Sequence, residues 1–294
     1  MDQHPTVLWA ELLPDDFRDR LREVPIVYLP IGLCEPHGHV SALGLDLLKA
    51  EAYCEEAARR FGGIVAPSQG YHIHECGFHA RWLEDVLGEE NPLMAGLPPD
   101  LMARLFLYQL RAFANTGFGA VIAVSGHSGG SQEDLRRVAR VMEARTGVTI
   151  VMKSDPEWVE ELYQGDHAGR YELSQLMALH PRLVDLSRLD RRHEPGAGGR
   201  FALGDDAAEA DPEYGRAINE AIIAAIGRRV TELRPLLAGR TPGPMLTFTE
   251  TEKIWQEILA EGGLWKSAQP WPGQPPVSPE SRWKSAEHLP LTLL

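Results

Sequence analysis

Short apolar runs rich in β-branched residues alternate along this chain with longer amphipathic segments, and this alternation constrains the fold most. The predicted strands are Ile26–Ile31, Ile64–Ala66, Ala120–Val124 and Val148–Met152. Each run is continuously apolar, which is typical of strands that are buried on both faces of a sheet. The sequence therefore predicts an α/β fold in which helices cover both faces of a parallel sheet.

The segments between these strands carry apolar residues at three- and four-residue spacing, which predicts helices. The predicted helices span residues 46–61, 98–115, 132–146 and 211–237. Two of them are followed by glycine, Gly62 and Gly147, a residue that commonly ends a helix. Ligands of such folds bind beyond the carboxyl ends of the parallel strands, so we expect the functional site at that edge.

Residues 241–294 differ in composition from the rest of the chain, because they are rich in proline and tryptophan. One helix is predicted near Glu250–Ala260, and the segment is too aromatic to be simple disorder. We therefore divide the chain into a domain over residues 1–240 and a C-terminal extension over residues 241–294. The extension is expected to wrap the domain or a neighbouring subunit.

Net charge and cysteine content indicate which partners and which cellular compartment to expect. The formal net charge of −13 argues against a nucleic acid or an anionic membrane as partner, since both require clustered basic residues. The N-terminal sequence lacks the basic and apolar pattern of a secretory leader. The three cysteines, Cys34, Cys54 and Cys76, show no CxxC spacing and fit a reducing compartment. We expect a cytoplasmic protein that acts on a small molecule.

Acidic and imidazole side chains gather where the predicted strands end. The alternating Glu35 and His37 follow the first strand and lie on one side of an extended segment. Asp46 opens the next helix, where it could be a ligand or only a helix N-cap. His127 follows the third strand in a glycine-rich turn, and Glu172 opens a later helix.

Together these residues form a mixed nitrogen and oxygen ligand set. Such a set suits Zn²⁺, Mn²⁺ or Fe²⁺ better than a thiolate site or an all-oxygen calcium site. Two metals about 3.5–4 Å apart that share a carboxylate could hold a hydroxide and polarise a carbonyl. Proton transfer to a leaving group would then need a further histidine or acid nearby.

Four spaced elements of the sequence resemble the creatininase (creatinine amidohydrolase) family. They are Glu35-Pro36-His37-Gly38, Asp46 eleven residues after Glu35, the turn GHSGG around His127, and the segment HAGRYELS that begins at His167. The resemblance runs in order over roughly residues 24–190, and it makes residues 1–240 a creatininase-like metal-dependent hydrolase domain. It implies a layered α/β/α domain with a mostly parallel sheet, assembled as a homo-oligomer, often a hexamer.

The resemblance also implies two divalent metal ions per chain: zinc, manganese or iron. Carried over to the matching positions, it assigns one ion to Glu35, Asp46 and His127, and the other to His37, Asp46 and Glu172. Asp46 would be the bridging carboxylate.

Two catalytic roles and one departure follow from the same comparison. His167, with Asp166 beside it, would carry a proton to the leaving group. In the creatinine-cleaving member, a glutamate two residues after the turn histidine is a metal ligand. Gly129 stands there in this chain, which makes Glu172 the better candidate.

The segment that follows the second strand departs further from the family. The family has Glu-His followed by Phe-Pro-Gly-Thr, whereas residues 70–82 read GYHIHECGFHARW. We interpret this segment as a loop that lines the pocket, the alternative being ordinary surface histidines. The predicted substrate-binding residues are His72, His74, His79 and Trp82. The metal core is kept while the pocket is altered, so creatinine is not assumed as the substrate.

The leading functional hypothesis is a two-metal hydrolase. A metal-bound hydroxide would attack the carbonyl of a small cyclic substrate and cleave the C–N bond of a cyclic amide, lactam or formamide. An alternative within the resemblance is hydrolytic C–C ring opening of a cyclic polyol ketone, as in inosose-type hydrolases. A hypothesis of another class is a non-catalytic metal-binding subunit of an oligomer.

Overall fold

The central element of the computed structural model is a sheet of four parallel strands, within a chain described over residues 6–193, 201–263 and 265–286. Its strands are β1 (Ile26–Ile31), β2 (Ile64–Val65), β5 (Ala120–Ser125) and β6 (Thr149–Ser154), in the order β2-β1-β5-β6. A second, two-stranded parallel sheet pairs β3 (His72–Ile73) with β4 (Gly96–Leu97). The predicted strands are confirmed to within about two residues at each end.

Eight α-helices surround these sheets within the described residues. They are α1 (Pro14–Glu23), α2 (Leu45–Phe61), α3 (Gly77–Leu87), α4 (Pro99–Thr116), α5 (Ser131–Thr146), α6 (Arg170–Leu179), α7 (Pro212–Leu237) and α8 (Phe248–Ala260). All six predicted helices are present, including the one that contains Glu172. None of the helices in the described part of the chain combines the length and apolar character needed to cross a bilayer.

Successive side chains of each central strand point to opposite faces of the sheet, and each face has its own core. On one face, Val27 and Leu29 pack in a cluster with Phe106 of α4, and α5 and α8 complete this layer. On the other face, Ile26 and Tyr28 belong to a cluster that α2, α6 and α7 cover. The layered α/β/α architecture predicted from the continuous apolar strands is confirmed.

Two glycines at strand ends let the first turn of α2 approach the sheet. A Cβ atom on Gly32, after β1, would lie 2.3 Å from the backbone nitrogen of Leu47. A Cβ atom on Gly126, after β5, would lie 2.0 Å from the carbonyl oxygen of Asp46. No side chain fits at either position, so the turn that carries Asp46 sits directly between the ends of β1 and β5.

The segment that follows β2 differs from the prediction. Residues 70–82 were expected to form a loop, and this is wrong, because His72 lies in β3 whereas His79 and Trp82 lie on α3. Cys76 precedes the helix without capping it by its side chain, and Gly77 opens it at a positive φ of 52°. This start lacks the Ser, Thr, Asp or Asn cap from which a helix is usually recognised in sequence.

The described part of the C-terminal extension packs on its own chain. Ile254 and Trp255 of α8 join the core beneath α4 and α5, and Trp265 is fully buried there. After α8 the chain is fixed to α5, where the Asp134 carboxylate accepts hydrogen bonds from the backbone nitrogens of Lys266 (2.6 Å) and Ser267 (3.0 Å) and from the Ser267 hydroxyl (2.5 Å).

The Asp134 contact predicts how firmly the extension is held. Asp134→Asn replaces one acceptor oxygen by a donor facing N–H groups, and it should lower the free energy of unfolding by about 1.5–3 kcal/mol. Urea denaturation measures this loss, and limited proteolysis should cut faster within residues 261–280. Glu133→Gln, at the exposed neighbouring position, is the control and should change neither quantity. Equal denaturation midpoints for the two variants would rule out the anchor.

Candidate metal centre

Five acidic and imidazole side chains from four elements meet at the carboxyl edge of the sheet. Glu35 and His37 lie just after β1 and His127 just after β5, while Asp46 and Glu172 lie in the first turns of α2 and α6. All five are at least 95% buried. The structure therefore brings together every residue that the sequence proposed as a metal ligand.

The first three residues surround a space next to β5. His127 Nδ1 lies 2.8 Å from Glu35 Oε1 and 3.6 Å from Asp46 Oδ2. One ligand atom from each of these residues lies within 4.8 Å of the others, a spacing that one metal ion can bridge.

A second group shares Asp46 with the first. His37 Nε2 lies 3.2 Å from Asp46 Oδ1 and 3.5 Å from Glu172 Oε2, and these three residues again offer ligand atoms within 4.8 Å of one another. The two oxygens of Asp46 therefore face different groups. A carboxylate in this position has the arrangement that a bridging ligand needs.

Several polar atoms of the two groups have no hydrogen-bond partner in the protein, as expected of atoms that hold a divalent cation. Glu35 Oε2, His37 Nε2 and both carboxylate oxygens of Asp46 are buried without a hydrogen bond, whereas His127 Nδ1 lies 2.8 Å from Glu35 Oε1. Buried polar atoms in proteins are nearly always paired, so a cluster of orphaned atoms favours a bound ligand. The donor set of oxygens and imidazole nitrogens suits zinc or manganese.

Hydrogen bonds to the backbone show which ring nitrogen of each histidine carries the proton. The Glu35 carbonyl lies 3.1 Å from His37 Nδ1 and can only accept, so this nitrogen carries the proton and Nε2 presents its lone pair to the site. In His72 and His74 the opposite holds, because Nδ1 accepts a backbone N–H from the following residue at 2.8 and 2.9 Å. Their Nε2 atoms are therefore N–H donors in the neutral ring, and His74 directs its donor toward Glu35 Oε2 at 3.5 Å.

Sequence reasoning missed two further buried charges. Lys49, one turn after Asp46 in α2, places its Nζ atom 2.8 Å from Glu172 Oε1 and 3.3 Å from Asp155 Oδ2. Gln175 also donates to Asp155 at 3.1 Å. The one signal that could have identified Asp155 is its position directly after β6, at the same edge as the other acids.

Burial and charge act against each other in this network. Burial alone would raise the pKa of Glu172, but the neighbouring Lys49 ammonium outweighs burial and the pKa falls to about 2. Burial raises the pKa of Asp155 to about 6, although Lys49 acts to lower it. Burial would lower the pKa of His127, yet the Glu35 and Asp46 carboxylates raise it to about 10. The Glu35 and Asp46 carboxylates thus favour positive charge at this position.

A cavity of about 290 Å³ opens above the two groups. Of the predicted substrate-binding residues, His74, His79 and Trp82 line this cavity. His72 does not, because it lies fully buried behind His127 with ring centroids 5.2 Å apart. Burial lowers the pKa of His74 and His79 well below the ordinary range, which keeps both rings neutral.

His167 also lines the cavity, and its ring is held on two sides. It stacks on His37 with centroids 4.8 Å apart and meets the edge of Trp82 at 4.9 Å. Its Nε2 lies 3.1 Å from the Pro36 carbonyl oxygen, which can only accept a hydrogen bond. In the neutral ring Nε2 therefore carries the proton, and Nδ1 is the nitrogen with the free lone pair.

The Asp166 carboxylate, predicted to act beside His167, contacts the backbone at the start of α6. It accepts hydrogen bonds from the backbone nitrogens of Gly169 (3.2 Å), Tyr171 (2.7 Å) and Glu172 (3.2 Å). It therefore holds the first turn of α6, and with it the Glu172 side chain. These contacts favour a positioning role for Asp166.

Gly129, which replaces the glutamate expected from the family resemblance, lies against the His79 side chain in the structure. Gly129 adopts a φ of +117°, and a Cβ atom there would lie 2.7 Å from His79 Nε2. The imidazole of His79, from α3, thus occupies the space into which a side chain at position 129 would extend.

Comparison with known proteins identifies the family of this chain. A family model described as creatininase, creatinine amidohydrolase, matches residues 10–230. A creatinine amidohydrolase of Pseudomonas putida is 26% identical over 184 residues, which cover 56% of this chain and 68% of that protein.

Solved structures of creatininase share the fold. A manganese form is 22% identical with a TM-score of 0.66, over 79% of this chain and all of the other. A creatininase variant complexed with creatine is 23% identical with a TM-score of 0.64, over the same shares. The resemblance found in the sequence is confirmed. Because the family model matches well over half of its length, the chain belongs to the creatininase family of metal-dependent hydrolases.

Proposed function

We propose that this protein is a two-metal hydrolase that cleaves the C–N bond of a small cyclic amide, lactam or formamide. One observation carries the proposal: the Asp46 carboxylate lies between two imidazoles, 3.2 Å from His37 Nε2 and 3.6 Å from His127 Nδ1. This arrangement supports two adjacent cations joined by one carboxylate, beneath a cavity of a size that suits a small ring.

The proposed ligands divide into two sets. One set is Glu35, Asp46 and His127, and the other is His37, Asp46 and Glu172. When bound, divalent ions in such a pair activate water at neutral pH and polarise a carbonyl oxygen. The protein fixes the sets through neighbouring contacts, since the Glu35 carbonyl sets the tautomer of His37 and Lys49 neutralises one oxygen of Glu172.

His167 is the proposed proton carrier. Its Nε2 proton is held by the Pro36 carbonyl, so Nδ1 takes a proton when water attacks and returns it to the departing nitrogen. The stack on His37 and the edge of Trp82 restrict rotation of the ring, which keeps this nitrogen in one orientation. Such a group contributes about 10²–10⁴-fold to the rate of hydrolysis.

The chemistry of the family supports an amide substrate, whereas the pocket does not favour creatinine in particular. The family description names an amidohydrolase, and the related structure complexed with creatine places a small guanidino acid in that protein. In this chain the cavity is lined by the imidazoles of His74 and His79 and by the indoles of Trp82 and Trp271. We therefore propose the bond that is cleaved rather than one named substrate.

Removing one proposed ligand tests the metal sites. His127→Ala should reduce the metal content from close to two ions per chain to one or fewer, because it deletes a nitrogen ligand from the first set. Metal analysis after gel filtration measures this, and activity should fall with it. His180→Ala, a histidine outside the cavity, is the matched control. A His127→Ala protein with full metal content would disprove the assignment.

The proton carrier can be separated from the metal sites. His167→Ala should keep both ions, since neither of the two proposed ligand sets includes His167. Its kcat should fall by about 10²–10⁴-fold, because the proton carrier is lost. Metal analysis and steady-state kinetics on the same preparation make the test. If the variant turns over at the wild-type rate with its metals in place, His167 is not the proton carrier.

The bond class is tested with a panel of substrates. The protein loaded with Zn²⁺ or Mn²⁺ should hydrolyse at least one of the cyclic amides, lactams and formamides supplied, with creatinine among them, and release an amine or a ring-opened amino acid that mass spectrometry detects. Keto-inositols are the contrasting arm. Turnover of these alone would replace the C–N proposal by C–C ring opening.

A further inference from the structure

The C-terminal extension reaches the cavity above the proposed metal sites. Trp271 and Gln274 line this cavity together with Glu35, His127 and His167. Both residues lie beyond residue 230, where the match to the family model ends. We name residues 265–277 the C-terminal wall, and its side chains add to the cavity a surface that the matched part of the chain does not supply.

Hydrogen bonds to the backbone of Phe78 connect the C-terminal wall to the start of α3. The Phe78 nitrogen donates to the Gln269 carbonyl at 3.1 Å, and the Gln274 amide donates to the Phe78 carbonyl at 3.1 Å. A Cβ atom on Gly77 would lie 2.4 Å from the carbonyl oxygen of Ser267. The glycine at the start of α3 therefore leaves the space that the wall occupies.

Both ends of the wall are fixed. At its beginning, Trp265 is fully buried and Asp134 accepts the hydrogen bonds from residues 266 and 267. Near its end, the Arg81 guanidinium donates to the Pro276 carbonyl at 3.3 Å. Because α3 also carries His79 and Trp82, the wall and the predicted substrate-binding side chains form one unit.

The surface of the cavity on this side is largely aromatic and carries one carboxylate, that of Asp85, which is paired with Arg81. Trp271 packs on Phe78 with ring centroids 4.3 Å apart and an interplanar angle of 33°, while Trp82 lies on the same cavity. No lysine or arginine is among the described residues that line it. Flat rings stack favourably on such surfaces, with a gain of about 0.5–1.5 kcal/mol beyond burial of area.

We propose that the C-terminal wall is part of the substrate site and that Trp271 selects ligands that present a flat ring beside the metals. This rests on the proposed function, because the ring is positioned by a group bound at the metal centre. Trp271 is 45% exposed, with Phe78 packed on its ring and Lys266 Nζ 5.6 Å from the ring centroid, so part of the indole is available for contact and its truncation leaves the buried core intact.

Two hydroxamates that differ only in the ring test the wall without turnover. Acetohydroxamate and benzohydroxamate both chelate zinc, and only the second carries a flat ring. Calorimetric titration of the Zn²⁺-loaded full-length protein should show tighter binding of benzohydroxamate. Trp271→Ala should weaken benzohydroxamate about 5- to 10-fold and acetohydroxamate less than about 2-fold. Trp271→Phe, which keeps a ring, should recover most of the difference.

Phe248→Ala is the matched control, since Phe248 is an exposed aromatic residue of the extension that does not line the cavity. It should change neither affinity. The wall is disproved on its own if acetohydroxamate binds but Trp271→Ala leaves benzohydroxamate unchanged or weakens both probes equally. If neither probe binds the metal-loaded wild type, the metal centre fails and the wall proposal fails with it.

Discussion

The site depends on one buried carboxylate, that of Asp46, held between the ends of two strands. The first turn of α2 reaches this position because Gly32 and Gly126 present no side chain to it. A methyl group at either glycine would meet backbone atoms within 2.3 Å, which would push the turn outward. His37 and His127 would then face separate spaces instead of two sides of one carboxylate. The shared ligand is thus a consequence of close backbone packing.

This packing concentrates negative charge in the protein interior. Among the described residues, the buried carboxylates of Asp46, Asp155 and Glu172 lie around the buried Lys49 ammonium, and the buried Glu35 carboxylate lies beside His127. Each unpaired buried ion costs several kcal/mol of stability, and a ligand at 1,000 times its Kd returns about 4 kcal/mol. We infer that metal binding and folding stability are linked in this protein. Lys49 covers one side of the network, and the orphaned ligand atoms lie on the other.

The sequence predicts the layers and the candidate ligands, since both depend on local signals. Continuous apolar runs identify buried strands, and spacing at strand ends identifies Glu35, His37 and His127. Lys49 escapes such reasoning, because a lysine on a helix usually faces solvent. The C-terminal wall escapes it too, since Gln274 and Phe78 are 196 residues apart and no spacing pattern records a contact over that separation.

Gly129 allows helix α3 to bring His79 close to the proposed metal ligands. Because Gly129 has no side chain, the His79 imidazole occupies the space beside this turn. A carboxylate is still available, because Glu172 lies 3.5 Å from His37 Nε2 and is held by Lys49. The helix α3 that brings His79 into the cavity is in turn fixed by the C-terminal wall. The turn at Gly129, the helix α3 and the C-terminal wall therefore form one packed unit on the substrate side of the proposed metal ligands.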